Sequence, residues 1–271
     1  MVKVFQGTKH EYYMDGYLQT NLDTAKKVIK KDWDMLFVVD GSEGSGKSVL
    51  AMQMAYYCDP TLTLSRIVFT PTIFRKAIVE AKPYQAIVYD EAYTGLSSRA
   101  TMSLINRTLI SMLAEIRQKN LFVWVVMPCF FDLDKYAALW RSRALIHVYT
   151  GDNFERGFFC FYNYDRKKAL YMLGKKFYSY YKPSANFIGK FTNEFVVNES
   201  EYRLKKRNSL IEREKKRAEA AIKKEIEGIM FERVMEMSDK IPHKLKIELL
   251  GLAPSTYFLK LKQHEEMRGL E

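Results

Sequence analysis

The chain has 271 residues, 48% of them hydrophobic, enough for one large α/β core and a small appendage. With 43 basic against 32 acidic residues its net charge is +11, which favours an anionic partner such as nucleic acid, although a basic surface alone would produce the same balance. Cys58, Cys129 and Cys160 are odd in number and far apart, which excludes a disulfide framework or zinc site, and His10, His147, His243 and His264 form no metal motif.

The N-terminal stretch MVKVFQGTKHEYY has no apolar segment of signal-peptide length. The longest apolar run, Leu121 to Phe131, contains Pro128 and is shorter than the roughly 20 residues a bilayer requires. The expectation is a cytoplasmic protein without a membrane span.

From Asn21 to about Val197, apolar strands alternate with amphipathic segments, the pattern of a mostly parallel sheet flanked by helices. Strands are expected at Met35 to Val39, Arg66 to Thr70, Ala86 to Tyr89, Leu121 to Met127 and Ala144 to Tyr149. Helices are expected at Lys47 to Tyr57, Thr72 to Ala81, Ser103 to Lys119 and Leu133 to Arg143. Gly157 to Tyr164 and Lys168 to Leu173, separated by Asp165-Arg166-Lys167, read as a β-hairpin closing a domain of residues 1–197. The aromatic tract Phe177 to Phe195 reads as an irregular closing segment, its rings packing on the core or stacking bases. Residues 198–237 are dense in Glu, Lys and Arg and predict a long charged helix, part solvated face and part DNA track. Residues 238–271 predict two helices about Gly251, with Pro254 opening the second, in a helix-turn-helix pattern. Leu245, Ile247, Leu249, Leu252, Tyr257 and Leu261 would form its core, while Ser255, Thr256, Leu259 and Lys262 would face a groove. That face is poor in Arg, Asn and Gln, so it suits phosphate contact over base reading, and a helical hairpin for docking a protein fits the same pattern.

Two motifs carry chemistry. The stretch Gly41, Ser42, Glu43, Gly44, Ser45, Gly46, Lys47 and Ser48 fits G-x-x-x-x-G-K-[ST] between an expected strand and an expected helix. Its glycines let consecutive N–H groups turn inward, and those amides with the positive helix end cradle phosphates. Lys47 would reach the β and γ phosphates, and the Ser48 hydroxyl would ligate magnesium. The second motif, Ile87-Val88-Tyr89-Asp90-Glu91-Ala92, ends an apolar strand in adjacent carboxylates. Asp90 would hold a magnesium-bound water beside Ser48, and Glu91 would polarise a water toward the γ phosphate.

On these motifs the chain resembles P-loop ATPases of the branch with an Asp-Glu Walker B pair. Within that branch it resembles the FtsK-HerA-like DNA translocases, viral genome-packaging ATPases and Zot-like ATPases of phages and plasmids. The resemblance covers Trp33 to about Tyr149, with NRTLISMLAEIRQKNLFVWVVM supporting it. It implies a P-loop NTPase fold, ATP and Mg2+ as cofactors, Lys47 on phosphate, Ser48 and Asp90 on magnesium, and Glu91 as base. It also implies a homo-oligomeric ring in which one subunit's arginine completes its neighbour's site. Arg99 is the favoured candidate for that finger, with Arg107, Arg117, Arg141 and Arg143 as the others. The chain departs from many relatives in placing Pro128-Cys129 after the strand LFVWVVM, where a polar sensor is common; the alternatives are Asp132, Asp134 or no sensor at all.

The leading functional expectation is an ATP-driven motor on double-stranded DNA in a virus or mobile element, packaging being the sharpest version, with a portal or other virion protein as a further partner. The alternative is a Zot-like assembly ATPase or an ATP-dependent recruiting switch that does not translocate. A nucleotide kinase is disfavoured because no arginine-rich lid is evident, and a nuclease because no cluster of carboxylates follows the ATPase region.

Overall fold

The computed structural model describes residues 2–90, 98–236 and 241–268. It divides into two compact units, Met1–Lys206 and Arg207–Glu271.

The first unit opens with strands β1 (Val2–Val4) and β2 (Tyr12–Met14) as a small antiparallel pair. Helix α1 (Gly16–Ile29) follows, capped by Asp15, whose carboxylate accepts from the amides of Tyr17 and Leu18. The remaining elements of this unit are β3 (Met35–Gly41), α2 (Lys47–Cys58), β4 (Ile67–Val68), α3 (Pro71–Glu80), β5 (Ala86–Tyr89), α4 (Ser98–Gln118), β6 (Phe122–Val126), β7 (Ser142–Tyr149), β8 (Phe158–Tyr162), α5 (Tyr164–Gly174) and β9 (Phe187–Lys190). Helix α6 (Glu199–Met235) begins here and continues into the second unit.

A seven-stranded sheet runs in the order β4-β5-β6-β3-β7-β8-β9, parallel through β7 and antiparallel beyond. Alternate side chains of its central strands enter different cores. Phe37 and Val39 of β3 with Trp124 of β6 pack beside Leu22 of α1 and Leu50 and Met54 of α2. Leu36 and Val38 with Val123 and Val125 pack beside Phe74 of α3 and Leu109, Leu113 and Ile116 of α4. Both faces are therefore covered, which is why these strands read as unbroken apolar runs.

Three expected elements differ. Lys168 to Leu173 is helical, so the expected hairpin is not formed with it; β8 pairs instead with β7 and β9. Asn163 caps α5 by accepting from the Arg166 amide at 3.0 Å, and Lys167, Leu170, Tyr171 and Gly174 are buried at helical spacing. The helix expected over Leu133 to Arg143 shortens to a π-type turn, Ala137–Arg141, because β7 already begins at Ser142 and pairs with β3 from there. Arg66 to Thr70 contributes only the two residues of β4 to the sheet.

In the second unit α6 is followed by α7 (His243–Leu250) and α8 (Pro254–Arg268), with Gly251 in the left-handed region at φ 60° between them. Tyr257 is fully buried, and its hydroxyl lies 2.8 Å from His243 Nδ1. Phe231 and Val234 of α6 are also buried. Leu245 and Leu249, expected in the core, stand about half exposed: α7 turns Lys246 inward and these two leucines outward.

Lys167 is fully buried and donates to the carbonyls of Ala138 and Leu139 at 2.6 and 3.1 Å, ending the π-type turn. Burial, reinforced by the charges of Lys168 and Arg143 against that of Asp165, pushes its pKa down to about 7. The unfolded chain keeps that proton to about pH 10.4. Between these values the unfolded state binds more protons, so the Lys167 contribution makes the fold more stable as pH rises from 7. In urea unfolding at a series of pH values, wild type should gain stability relative to Lys167→Met by up to about 1.4 kcal/mol per pH unit between about pH 7 and pH 9.5. Parallel curves for the two proteins would contradict this.

Candidate functional site

β3 ends at Gly41, at the carboxyl edge of the parallel strands, with β6 on one side and β7 on the other. The chain leaves β3 through α2, which packs on one face of the sheet, whereas β6 leads to β7 past the other face. A crevice forms where successive connections diverge in this way, and ligands of open α/β sheets bind there.

The glycine-rich loop lies at that edge, joining β3 to α2. Gly41, Gly44 and Gly46 have φ of 131°, 77° and 100°, values that side chains disfavour. Packing restricts Gly41 further, because a Cβ there would lie 1.9 Å from the Val148 carbonyl oxygen of β7. A Cβ on Gly46 would meet the Phe191 ring at 2.9 Å. Ser45 is buried and closes the loop through its hydroxyl, which donates to Ser42 O at 2.8 Å, while Ser42, Glu43 and Gly44 are exposed. Gly46 is the N-cap of α2 and supplies no side-chain cap, so the first amides of the helix point free of the cap interaction that a serine or aspartate would make.

Lys47 Nζ donates to Gly41 O at 2.7 Å and Ser42 O at 2.6 Å, which holds the ammonium over the loop. Burial lowers its pKa; the charges of Asp40, Asp90 and Glu43 oppose that, and the charge of Lys206 adds to it. Ser48 Oγ donates to Asp90 Oδ1 at 2.9 Å, which joins the two sequence motifs across 42 residues. Asp90 is fully buried just beyond β5, its amide donating to Val68 O at 2.8 Å. Its Oδ2 receives the Tyr202 hydroxyl and lies 3.7 Å from Lys206 Nζ, both from α6.

A second buried group lies under the loop. Asp40, the penultimate residue of β3, accepts from the Phe130 amide at 2.8 Å and from the Tyr180 hydroxyl, and lies 2.9 Å from Nδ1 of His147, its register partner on β7. The His147 and Tyr180 rings stack at 3.9 Å. Burial, and then the Asp40 charge, raises the Tyr180 pKa. Sequence reasoning missed Asp40, His147, Tyr180, Tyr202 and Lys206, since only the sheet register and the return of the chain after β9 bring them to this edge. Asp40 alone had a legible signal: a carboxylate inside an otherwise apolar strand, immediately before the glycine loop.

Among the arginines considered for a finger, Arg141 and Arg143 pair with buried Asp34 at 2.7 and 3.5 Å, and Arg117 pairs with Asp32 at 3.1 Å. The Arg143 guanidinium also lies over the Trp33 ring at 4.7 Å. These acids precede β3, at the opposite edge of the sheet, about 20 Å from the loop at strand rise. Arg141 and Arg143 thus compensate a buried carboxylate within the subunit, while the Arg117 pair with Asp32 is exposed. Arg107 is an exposed residue of α4. Glu91 and the Arg99 side chain lie outside the described residues. Of the substitute sensors, Asp134 accepts from the amides of Tyr136 and Ala137 as a turn cap, and Asp132 receives the Tyr178 hydroxyl at 3.3 Å.

The Ser48 hydroxyl and the Asp90 carboxylate form a pair of hard oxygen donors of the kind that could hold magnesium, which takes one or two protein oxygens with water and phosphate completing its shell. Among the described residues no group of three His, Cys, Asp or Glu side chains gathers as a self-sufficient metal cage. No helix among them is long and apolar enough to cross a membrane.

No protein-family model matches the chain, and no curated protein is significantly similar to it.

The loop geometry separates the glycines by experiment. Gly41→Ala drives a methyl into the Val148 carbonyl and should lower stability by roughly 2 kcal/mol or more. Gly44→Ala, whose nearest neighbour is the Arg156 side chain at 3.8 Å, should cost only the left-handed backbone penalty of about 1 kcal/mol. Urea unfolding of both variants checks the order; equal losses would contradict the close approach of Gly41 to β7.

Proposed function

We propose that the chain is a magnesium-dependent ATPase of the P-loop type that acts on double-stranded DNA, as a packaging or translocation motor of a virus or mobile element. The observation that carries the catalytic part is the 2.9 Å hydrogen bond between Ser48 and Asp90, beside the loop over which Lys47 is held. Two motifs far apart in sequence meet where a nucleoside triphosphate would present its β and γ phosphates.

In this reading the loop amides and Lys47 bind the phosphates, and Ser48 and Asp90 hold the metal. Bound magnesium would supply charge neutralisation on the β and γ oxygens. Asp40, kept in place by His147, Tyr180 and the Phe130 amide, fixes the end of β3 from which the loop departs. Glu91, next in the chain after Asp90, polarises the attacking water. Arg99 is the favoured candidate for an arginine acting between subunits of a ring, with Arg107, Arg117, Arg141 and Arg143 as the others.

The DNA part rests on charge. The net charge is +11, and Lys215, Lys216, Lys223 and Lys224 on α6 are exposed. One of them, Lys216, pairs with Glu212 at 2.7 Å along the helix, an exposed contact that phosphate can compete for. A second reading, an assembly ATPase or recruiting switch whose tail docks a protein such as a portal, is favoured by the exposed apolar side chains of α7 and α8: Leu245, Leu249, Phe258 and Leu259.

Lys47→Ala should abolish tight ATP binding, measured by equilibrium titration with a fluorescent analogue, whereas Glu91→Gln should bind ATP and fail to turn it over. Micromolar affinity retained by Lys47→Ala would overturn the loop assignment. For the tail, changing Lys215, Lys216, Lys223 and Lys224 together to Gln should flatten the dependence of duplex affinity on salt by about 0.9 in log–log slope for each phosphate no longer neutralised. An unchanged slope would remove α6 from the DNA interface and favour the docking reading.

A further inference from the structure

We infer that Lys206 and Tyr202, on the first two turns of α6, belong to the nucleotide site: Lys206 as a second cation directed at the terminal phosphate, and Tyr202 as the residue that positions Asp90. The inference rests on the ATPase reading above and adds to it residues that lie well beyond both sequence motifs.

The argument begins with Asp90. Its side chain is fully buried, and its two oxygens are divided between partners of different kinds. Oδ1 accepts from Ser48 at 2.9 Å, whereas Oδ2 takes the Tyr202 hydroxyl and faces Lys206 Nζ at 3.7 Å. The Tyr202 contact sets the rotation of the carboxylate, so that Oδ1 is the oxygen presented to Ser48 and to a metal beside it. Tyr202 is itself rigidly held, 4% exposed between the rings of Phe69 and Phe195 at 5.8 and 5.6 Å.

Lys206 follows Tyr202 by one helical turn and so projects from the same face of α6. The helix cannot roll freely there. Asn198 caps it, accepting from the Glu201 amide at 3.0 Å, and Lys205 Nζ is tied to the carbonyls of Leu64 and Ile67 at 2.6 and 2.7 Å. Lys206 Nζ stands 3.7 Å from Asp90 Oδ2, and Asp90 Oδ1 accepts from Ser48, the residue that follows Lys47.

Charge balance gives this arrangement a function. Ser48 and Tyr202 are neutral donors, and Lys206 gives Asp90 a cation across its Oδ2 edge. Metal and phosphate entering beside Ser48 would neutralise Asp90 from the other edge and bring new negative charge toward the partly exposed Lys206 ammonium. That places Lys206 to meet the terminal phosphate.

The test uses the full-length chain and equilibrium binding of fluorescent ATP and ADP analogues under a magnesium titration. Lys206→Gln should weaken ATP by about tenfold while leaving ADP unchanged, the loss of one charge-assisted hydrogen bond to the terminal phosphate, and Lys206→Arg should restore most of the difference. Tyr202→Phe should raise the magnesium concentration needed for half-saturation several-fold, with nucleotide affinity near normal in excess magnesium. A second measurement needs no variant: an acyl-phosphate derivative of ATP, which acylates lysine amines near the terminal phosphate, should label both Lys47 and Lys206 in the wild-type protein, with ATP protecting both. Labelling of Lys47 alone, or equal weakening of ATP and ADP by Lys206→Gln, would overturn the inference and leave Lys206 as a structural counter-charge. Should Lys47→Ala bind ATP like wild type, the ATPase reading itself fails, an outcome distinct from a negative result at Lys206 alone.

Discussion

The site depends on β3 being clamped along both edges by parallel neighbours. Val38 and Val39 lie opposite Val125 and Val126 of β6 and opposite Leu145 and Ile146 of β7, and neither face of the strand meets water. A strand held in this way cannot shift its register without exposing a row of apolar side chains on each face. Gly41 therefore emerges at a fixed height, so close to the Val148 carbonyl that no side chain is tolerated, and the loop that follows inherits its position from the sheet.

Four buried aspartates mark the ends of these strands among the described residues, and each is compensated differently. Asp34 is clamped by Arg141 and Arg143, and Asp59 is paired with Arg66 while accepting the Ala86 amide at 2.8 Å. Full guanidinium pairing of this kind locks structure, because removing one partner leaves a buried charge. At the loop edge the compensation is looser. Asp40 is held by a histidine, a phenol and one amide, and the partners of Asp90 include two hydroxyls and a lysine at 3.7 Å. The guanidinium-paired carboxylates stand away from the loop, and those met by hydroxyls, a histidine or a lysine stand beside it.

The same contrast governs α6. Its first turns are tied into the first unit's core through Tyr202 and Lys205, while further along the helix exposed charges form i,i+4 contacts such as Lys216 with Glu212. Exposed pairs of that kind add little stability. Their lysines remain available to an anionic surface, and the distinction between a buried and a solvated stretch of one helix falls near Lys206, where the compact units divide.

From the sequence alone, the glycine loop, the carboxylate-ended strand and the long charged helix were legible, since each is a local pattern: fixed spacing, an unbroken apolar run, or a composition with no core-forming face. The mostly parallel α/β sheet followed from strands alternating with amphipathic segments. The small helix α5 was legible in principle through Asn163 and the spacing of Lys167, Leu170, Tyr171 and Gly174, but Tyr, Leu and Met in KALYML also suit a strand, and propensity misdirected the reading. Tertiary structure decided what depends on partners distant in the chain. Arg117, Arg141 and Arg143 look as available as any arginine until the sheet carries Asp32 and Asp34 to them, and Tyr202 and Lys206 look like ordinary residues of a charged helix until the chain returns after β9 to lay them against Asp90. A local pattern encodes which backbone a segment adopts; the compensation of a buried charge is set by whichever side chains the completed topology brings within a few ångströms of it.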